Sequence, residues 1–192
     1  MITVGWLARQ PDLGLTVVAG AAGVNRAIRW AHAIELADPA PYLSGGELVM
    51  TTGINVGRTT RAQSDYVSRL VSADAAALAF DTGTSFQQVP EGIVAAGNEL
   101  GLPVLRVPAS TPFIAITRSV IDAINADQIK SVQRTVELQE QLARETLRGG
   151  IPALVDLLSR ALSATTVVTS TDGRLLAGGG ADAGRDAGRI AR

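Results

Sequence analysis

The sequence predicts an α/β fold: a mainly parallel sheet flanked by helices, followed by a long connector helix and a partial α+β segment. Three observations predict it. Between Glu47 and Ser110 three apolar runs, "ELVMTTG", "AAALAFDTG" and "LPVLRVPAS", alternate with stretches at helical spacing, and strands joined by such crossovers lie parallel. No Pro or Gly falls between Pro112 and Gly149, so residues 114–148 can form one helix. Beyond it, "TTVVTSTDGRLLAGG" centres on Asp172-Gly173, a strong short-range hairpin signal.

Taken in order, "ITVGWLARQPDL" reads as a short helix ended by Pro11, and "LTVVAG" as a strand that stops at Gly20. The "GAAG" of 20–23 is a turn. In "AIRWAHAIEL", Trp30, His32, Ile34 and Leu36 share one face at period 2, which predicts a second strand paired with the first. "DPAPYL" is a Pro-opened turn or short helix. Gly45-Gly46 forms a tight turn into the strand at Glu47, because Gly accepts φ > 0 without strain. The helix "TTRAQSDYVSRLVSAD" aligns Tyr66, Val67, Leu70 and Val71; "VPEGIVAAGNELG" is a helix with Pro90 at its start and Gly101 past its end. The third, "TPFIAITRSVIDAIN", opens the long helix.

These elements divide the chain into an α/β domain at 1–125, a connector helix at 126–150, and an incomplete start of a second domain at 151–192. The last part has a helix from Ile151 with Pro152 in its first turn, the hairpin, a "GGG" at 178–180 taken as a turn, and a tail too poor in apolar residues to pack.

Composition excludes several function classes. With 17 basic and 18 acidic residues spread along 192, no basic stripe is present for a phosphate backbone. The absence of Cys excludes disulfides and thiolate metal sites, and one His leaves only carboxylates for a metal, so neither metal nor cofactor is expected. Apolar stretches break well before the roughly 20 residues of a membrane span, and "MITVGWLARQPDLG" lacks a signal-peptide pattern. The expected location is the cytoplasm.

Catalysis has a thin basis. His32 could act as a general base with Glu35 or Asp38, as in a small hydrolase, but strand alternation points residues 32 and 35 to opposite faces. His32 is therefore expected to be a hydrogen-bonded core residue, and Asp38, before Pro39, a turn residue. No GxSxG, GxxxxGK[ST] or GxGxxG occurs.

Binding has a geometric basis. Ligands of open parallel sheets sit outside the carboxyl ends of the strands. Here those ends read Thr51, Thr52, Gly53; Asp81, Thr82, Gly83, Thr84; and Ser110, Thr111. The candidate ligand-binding set is Glu35, Asp38, Thr51, Thr52, Gly53, Asp81, Thr82, Ser110 and Thr111. The same residue types also cap helices, so both roles stand at this point. Along the connector, Ile121, Ile124, Ile129, Val132, Val136 and Leu142 are candidate dimer-seam positions. They drift around the helix, and Gln128, Ser131, Thr135 and Gln139 fall near any seam drawn. A dimer seam and a connector lying on the domain are both compatible with this pattern.

The combination H-x-x-E-L-x-D-P from His32, G-G-E-L-V-x-T-T-G from Gly45 and G-L-P from Gly101 resembles the N-terminal domain of the PucR-type (purine catabolism regulator) family of bacterial transcription factors, over residues 2–125. The match carries Glu35, Leu36, Asp38, Pro39, Gly45 to Leu48 and Thr51 to Gly53 as fold and candidate ligand determinants. The resemblance implies a non-enzymatic, ligand-sensing module of a homodimeric regulator, with a small-molecule effector, purine-related or another metabolite. It also implies that 151–180 enter a GAF-like or GGDEF-like middle domain, and that DNA is contacted only by a helix-turn-helix absent from this chain. A ligand-free dimerisation module is the alternative.

Overall fold

The computed structural model describes residues 1–180, with the side chains of all of these but 131, 132, 134 and 135. Strands β1 (Thr16–Ala19), β2 (Trp30–Ala33), β3 (Glu47–Thr51), β4 (Ala77–Asp81) and β5 (Val104–Val107) form one sheet in the order β1-β5-β4-β3-β2. Strands β2 to β5 are parallel, and β1 lies antiparallel to β5 at the far edge. The helices α2 (Thr60–Ser72) and α3 (Glu91–Leu100) form the β3–β4 and β4–β5 crossovers. Thr59 starts α2 by accepting a hydrogen bond from the Ala62 amide at 3.2 Å.

Both faces of the sheet are covered, which is why β3 and β4 are buried along their whole length. Leu48, Met50, Ala77, Ala79, Leu105 and Val107 point to one side. They pack there against α1 (Val4–Ala8) and the start of α4 (Phe113–Leu162), through Leu7, Ile116 and Val120. Their neighbours in sequence, Val49, Leu78, Phe80 and Val104, point to the other side, onto Tyr66, Val67 and Leu70 of α2 and Ile93 and Ala96 of α3. The period-2 alternation of strands thus feeds two cores from one set of apolar runs.

The turn into β3 holds as its glycines suggest. Gly45 and Gly46 have φ of 96° and 84°, and a Cβ on Gly46 would lie 2.8 Å from the Arg29 side chain. Glu47, nearly buried, anchors this turn: its carboxylate accepts from the Ser44 and Gly45 amides at 2.7 and 2.9 Å.

Three sequence expectations are corrected. Strands β1 and β2 do not pair with each other; they occupy opposite edges. β1 is held beside β5 by its ladder and by the Gly20 amide, which donates to Asn98 Oδ1 at 2.9 Å. Second, Trp30 and His32 are not core residues. The buried member of β2 is Ala31; Trp30 is 51% exposed, and the exposed His32 side chain has no hydrogen bond to a described residue. Ile34 is buried, but just past the end of the strand, and Leu36 is 43% exposed. Third, Gly178 and Gly179 belong to a strand and only Gly180 turns.

The chain divides into two compact units, Met1–Gln128 and a second beginning at Ile129. Helix α4 is interrupted at Gly150, whose φ of 64° and ψ of −154° are non-helical. In the second unit, β6 (Thr166–Thr169) and β7 (Leu175–Gly179) form the antiparallel hairpin expected around Asp172-Gly173, with Gly173 at φ 83°. The tail read as unable to pack, 181–192, lies outside the described residues.

Candidate functional site

The parallel topology brings the carboxyl ends of β3, β4 and β5 side by side, and a cavity of about 200 Å³ opens there. Thr52 follows β3, Asp81 ends β4, Thr84 comes just after it, and Thr111, Pro112 and Phe113 lead from β5 into α4; all six line the cavity. Thr52, Asp81 and Thr111 are sequence candidates that the fold brings together. Phe113 was not a candidate: the sequence places it at the start of the third helix of the first domain, with no local signal that this start meets the strand ends.

Asp81 is 8% exposed. Its Oδ2 accepts from the amides of Gly83 and Thr84, at 3.2 and 2.9 Å, which shapes the turn after β4. Its Oδ1 has no hydrogen bond to any described residue, so a nearly buried carboxylate that lines the cavity keeps one unused acceptor. Among the described residues no Lys, Arg or His lines this cavity.

Glu35 is used differently. One carboxylate oxygen accepts from the Thr51 hydroxyl at 2.7 Å and the other from the Thr52 amide at 2.6 Å. Its carbonyl accepts from Asn55 and the Ala37 carbonyl from Arg69, so the segment leaving β2 is fastened to the loop leaving β3 and to α2. Gly53 completes that loop. It has φ 81°, and a Cβ there would lie 2.5 Å from Phe80 and 2.9 Å from Phe86, whose rings meet edge to face at 5.5 Å.

Tyr66 lies under this clamp, 1% exposed. Its hydroxyl stands beside the Thr51 side chain but off hydrogen-bonding geometry, and it has no partner among the described residues. Burial pushes its pKa from 10.0 up to about 12; the Thr51 hydroxyl opposes the rise and the Glu35 carboxylate adds to it.

The remaining candidates are scattered. Thr82 turns its hydroxyl to the Val107 carbonyl at 2.9 Å, as Thr111, though it lines the cavity, does to the Leu13 carbonyl at 2.9 Å. Asp38 accepts from the Ala40 amide at 3.2 Å within its turn. Ser110 is exposed. On α4, Ile124 packs against the core of the first unit, Ile121 and Leu142 are half-buried, and Ile129 and Val136 are 58% and 47% exposed. The Val132 side chain lies outside the described residues. Among the described residues no three His, Asp or Glu are placed to hold a metal ion. A wider groove of about 520 Å³ runs beside Trp6 and Arg118, with Asp12 and Asp122 at its walls. Its charged groups are exposed, and a polar contact gains less in water than at the sheltered Asp81.

Comparison with known proteins decides what kind of domain carries this rim. The family model "Purine catabolism regulatory protein-like family" matches residues 6–124. The chain belongs to this family. The chain is also similar to the transcriptional activator PmfR of Paenarthrobacter nicotinovorans, at 31% identity over 140 residues. The aligned part is 73% of this chain and 30% of PmfR, so the chain spans under a third of that relative. Among solved structures, the CBS and DRTGG domains of the regulatory region of Clostridium perfringens pyrophosphatase, crystallised with diadenosine tetraphosphate, match with a TM-score of 0.37. That match has 11% identity and covers 62% of this chain and 48% of the other. This likeness is too distant to bear on the site. The purine catabolism regulatory protein-like family is one of transcriptional regulators, and its matched segment contains the entire five-stranded sheet and the cavity. Among the described residues no helix is long and apolar enough to cross a membrane.

Proposed function

We propose that residues 1–128 are the effector-sensing part of a transcriptional regulator, and that the effector binds in the cavity at the carboxyl ends of β3 to β5. One observation carries this reading. The cavity is bounded on one side by strand-end residues, Thr52 and Asp81, and on another by Pro112 and Phe113, where α4 begins. A molecule held there touches both the sheet and the helix that continues beyond Gln128. It shifts an equilibrium of α4 only by binding its two arrangements with different affinity. The module has no catalytic role in this reading: the His32 side chain is exposed and has no partner among the described residues, and both oxygens of Glu35 are taken.

On this reading the effector is a small metabolite, purine-related as the family's description suggests or of another kind. The regulator works as a cytoplasmic homodimer through α4, and DNA is contacted by a helix-turn-helix outside these 192 residues. Titration of the chain with a metabolite panel in a thermal-unfolding assay tests it, since a ligand of the native state raises apparent stability. The expected result is a metabolite that raises the melting temperature of the native chain but not of a folded Thr52→Ala, Asp81→Ala double variant. An unchanged response in that variant removes the rim from the proposal.

A second reading, a ligand-free dimerisation module, draws on the exposed Ile129 and Val136. It is favoured if sedimentation shows a dimer dissociated by polar substitution at Val132 and Val136 while no metabolite stabilises the chain.

A further inference from the structure

We propose that the outer edge of β2 is a docking surface for a second copy of this chain, joined by antiparallel pairing about a two-fold axis at His32 that merges the two sheets into one. This contact involves neither the rim cavity nor α4.

The two borders of the sheet are built differently. Both edge strands are four residues long, so length does not distinguish them. On β1 the register with β5 shifts between Val17 and Ala19, and the strand runs into Gly20 at φ 62°. Such an irregularity blunts an edge against further pairing. β2 follows β3 in unbroken register from Trp30 to Ala33, and its sequence "WAHA" contains neither Pro nor Lys. Among the described residues no strand pairs with its outer side, so a row of backbone donors and acceptors faces outward there.

The N-terminal segment sets where a partner strand can lie. Thr3 bridges Ala27 in antiparallel sense, and the Ile28 amide donates to the Ile2 carbonyl at 3.0 Å, so the chain ahead of β2 is already covered. The open stretch starts at Trp30. Directly opposed side chains of antiparallel strands share a face, so the two-fold axis falls at a residue and not between two. Centring on His32 puts Ala31 opposite Ala33 of the copy and stays inside the open stretch. Centring on Ala31 would bring Ala33 of the copy alongside Arg29, toward the N-terminal segment. The alanines admit close backbone approach on one face; on the other, the exposed His32 meets its own copy.

Charge selects a second copy as the occupant. Arg26 and Arg29 precede β2, and Glu35 and Asp38 follow it. Arg26 already pairs with Asp74 at 2.9 Å, whereas Arg29 and Asp38 are exposed and form no ion pair with a described residue. An antiparallel copy sets the basic end of each segment against the acidic end of the other, twice over. A parallel copy would set like against like. Trp30 and Leu36, 51% and 43% exposed, flank the edge, and pairing removes apolar surface there from water.

The 192-residue chain has no cysteine, so a single introduced one reports a self-contact. In His32→Cys, oxidised with glutathione disulfide, the two thiols of the dimer fall within disulfide reach, since opposed Cα atoms stand about 4.5–5.5 Å apart. A covalent dimer is expected to form about tenfold faster than in Thr16→Cys, on the β1 edge, or in Ser110→Cys, both at exposed positions. Adding Arg29→Glu to His32→Cys is expected to slow it about tenfold. Hydrogen exchange of the native chain is the second readout: amides between Trp30 and Ala33 are expected to exchange more slowly as protein concentration rises. Should His32→Cys not fold, that exchange decides alone. Equal rates in the three cysteine variants, a fastest Thr16→Cys, an Arg29→Glu without effect, or exchange at Trp30–Ala33 independent of concentration overturns the assignment. A dimer held through α4 alone gives the last of these results.

Discussion

Glu35, past the end of β2, and Asp81, at the end of β4, are carboxylates near the same rim of the sheet, yet they do opposite things. Glu35 accepts with both oxygens and ties two loops together; Asp81, which lines the cavity, accepts two amides with one oxygen and leaves the other unused. The difference teaches that residue type and position at a strand end do not separate scaffold from site. The number of lone pairs left after local bonding does, because a group already satisfied gains little by exchanging its partner for a ligand.

The largest expected break in this comparison comes from Glu35→Ala. It removes two charge-assisted hydrogen bonds, each worth roughly 1.5–3 kcal/mol, and should lower unfolding stability by about 3 kcal/mol in a denaturant titration. A loss below about 1 kcal/mol would mean that the clamp is not what holds the loop after β3.

Next is the response of Tyr66 to alkali. Its pKa is raised from 10.0 in the unfolded chain to about 12 in the fold, so between these values the native state binds the extra proton. Its contribution is therefore complete below pH 10 and is lost as pH rises toward 12, at about 1.4 kcal/mol per pH unit and about 2–3 kcal/mol in all. In Tyr66→Phe this component should vanish from the stability–pH curve. The hydroxyl has no partner among the described residues, so the variant should also match or exceed native stability at pH 7 by up to about 1 kcal/mol. A clear loss at pH 7 would reveal a bond to that hydroxyl.

The smallest effects make the sharpest test. Glu35→Gln turns an acceptor toward Thr51 into a donor and should cost about 1.5 kcal/mol, whereas Asp81→Asn can keep its acceptor toward Gly83 and Thr84 and should cost less than about 0.5 kcal/mol. Equal costs would put the two carboxylates in one class.

Much of the fold was legible from residue spacing. The crossovers around α2 and α3, the Gly45-Gly46 turn and the Asp172-Gly173 hairpin all rest on local signals, and each stands in the structure. Strand pairing was not local. Placing β1 beside β5 depends on an edge ninety residues away in sequence, as the Thr16–Arg106 register shows. The period-2 pattern of Trp30, His32, Ile34 and Leu36 also misled, because an edge strand can leave its larger side chains uncovered and bury an alanine. At the rim, the ends of β3, β4 and β5 could be named in advance from the parallel order. Which hydroxyls turn inward to a carbonyl could not, since Val107 and Leu13 become neighbours only on folding.

Periodicity, turn glycines and the absence of breakers determined the elements, their crossovers and the edge where polar strand ends collect, because these follow from backbone geometry over a few residues. Tertiary contact decided the strand at each border, the face that stays wet, and the one acceptor at Asp81 left unspent. Those outcomes depend on which distant donor arrives within hydrogen-bonding distance, and a single chain of residue names does not contain that distance.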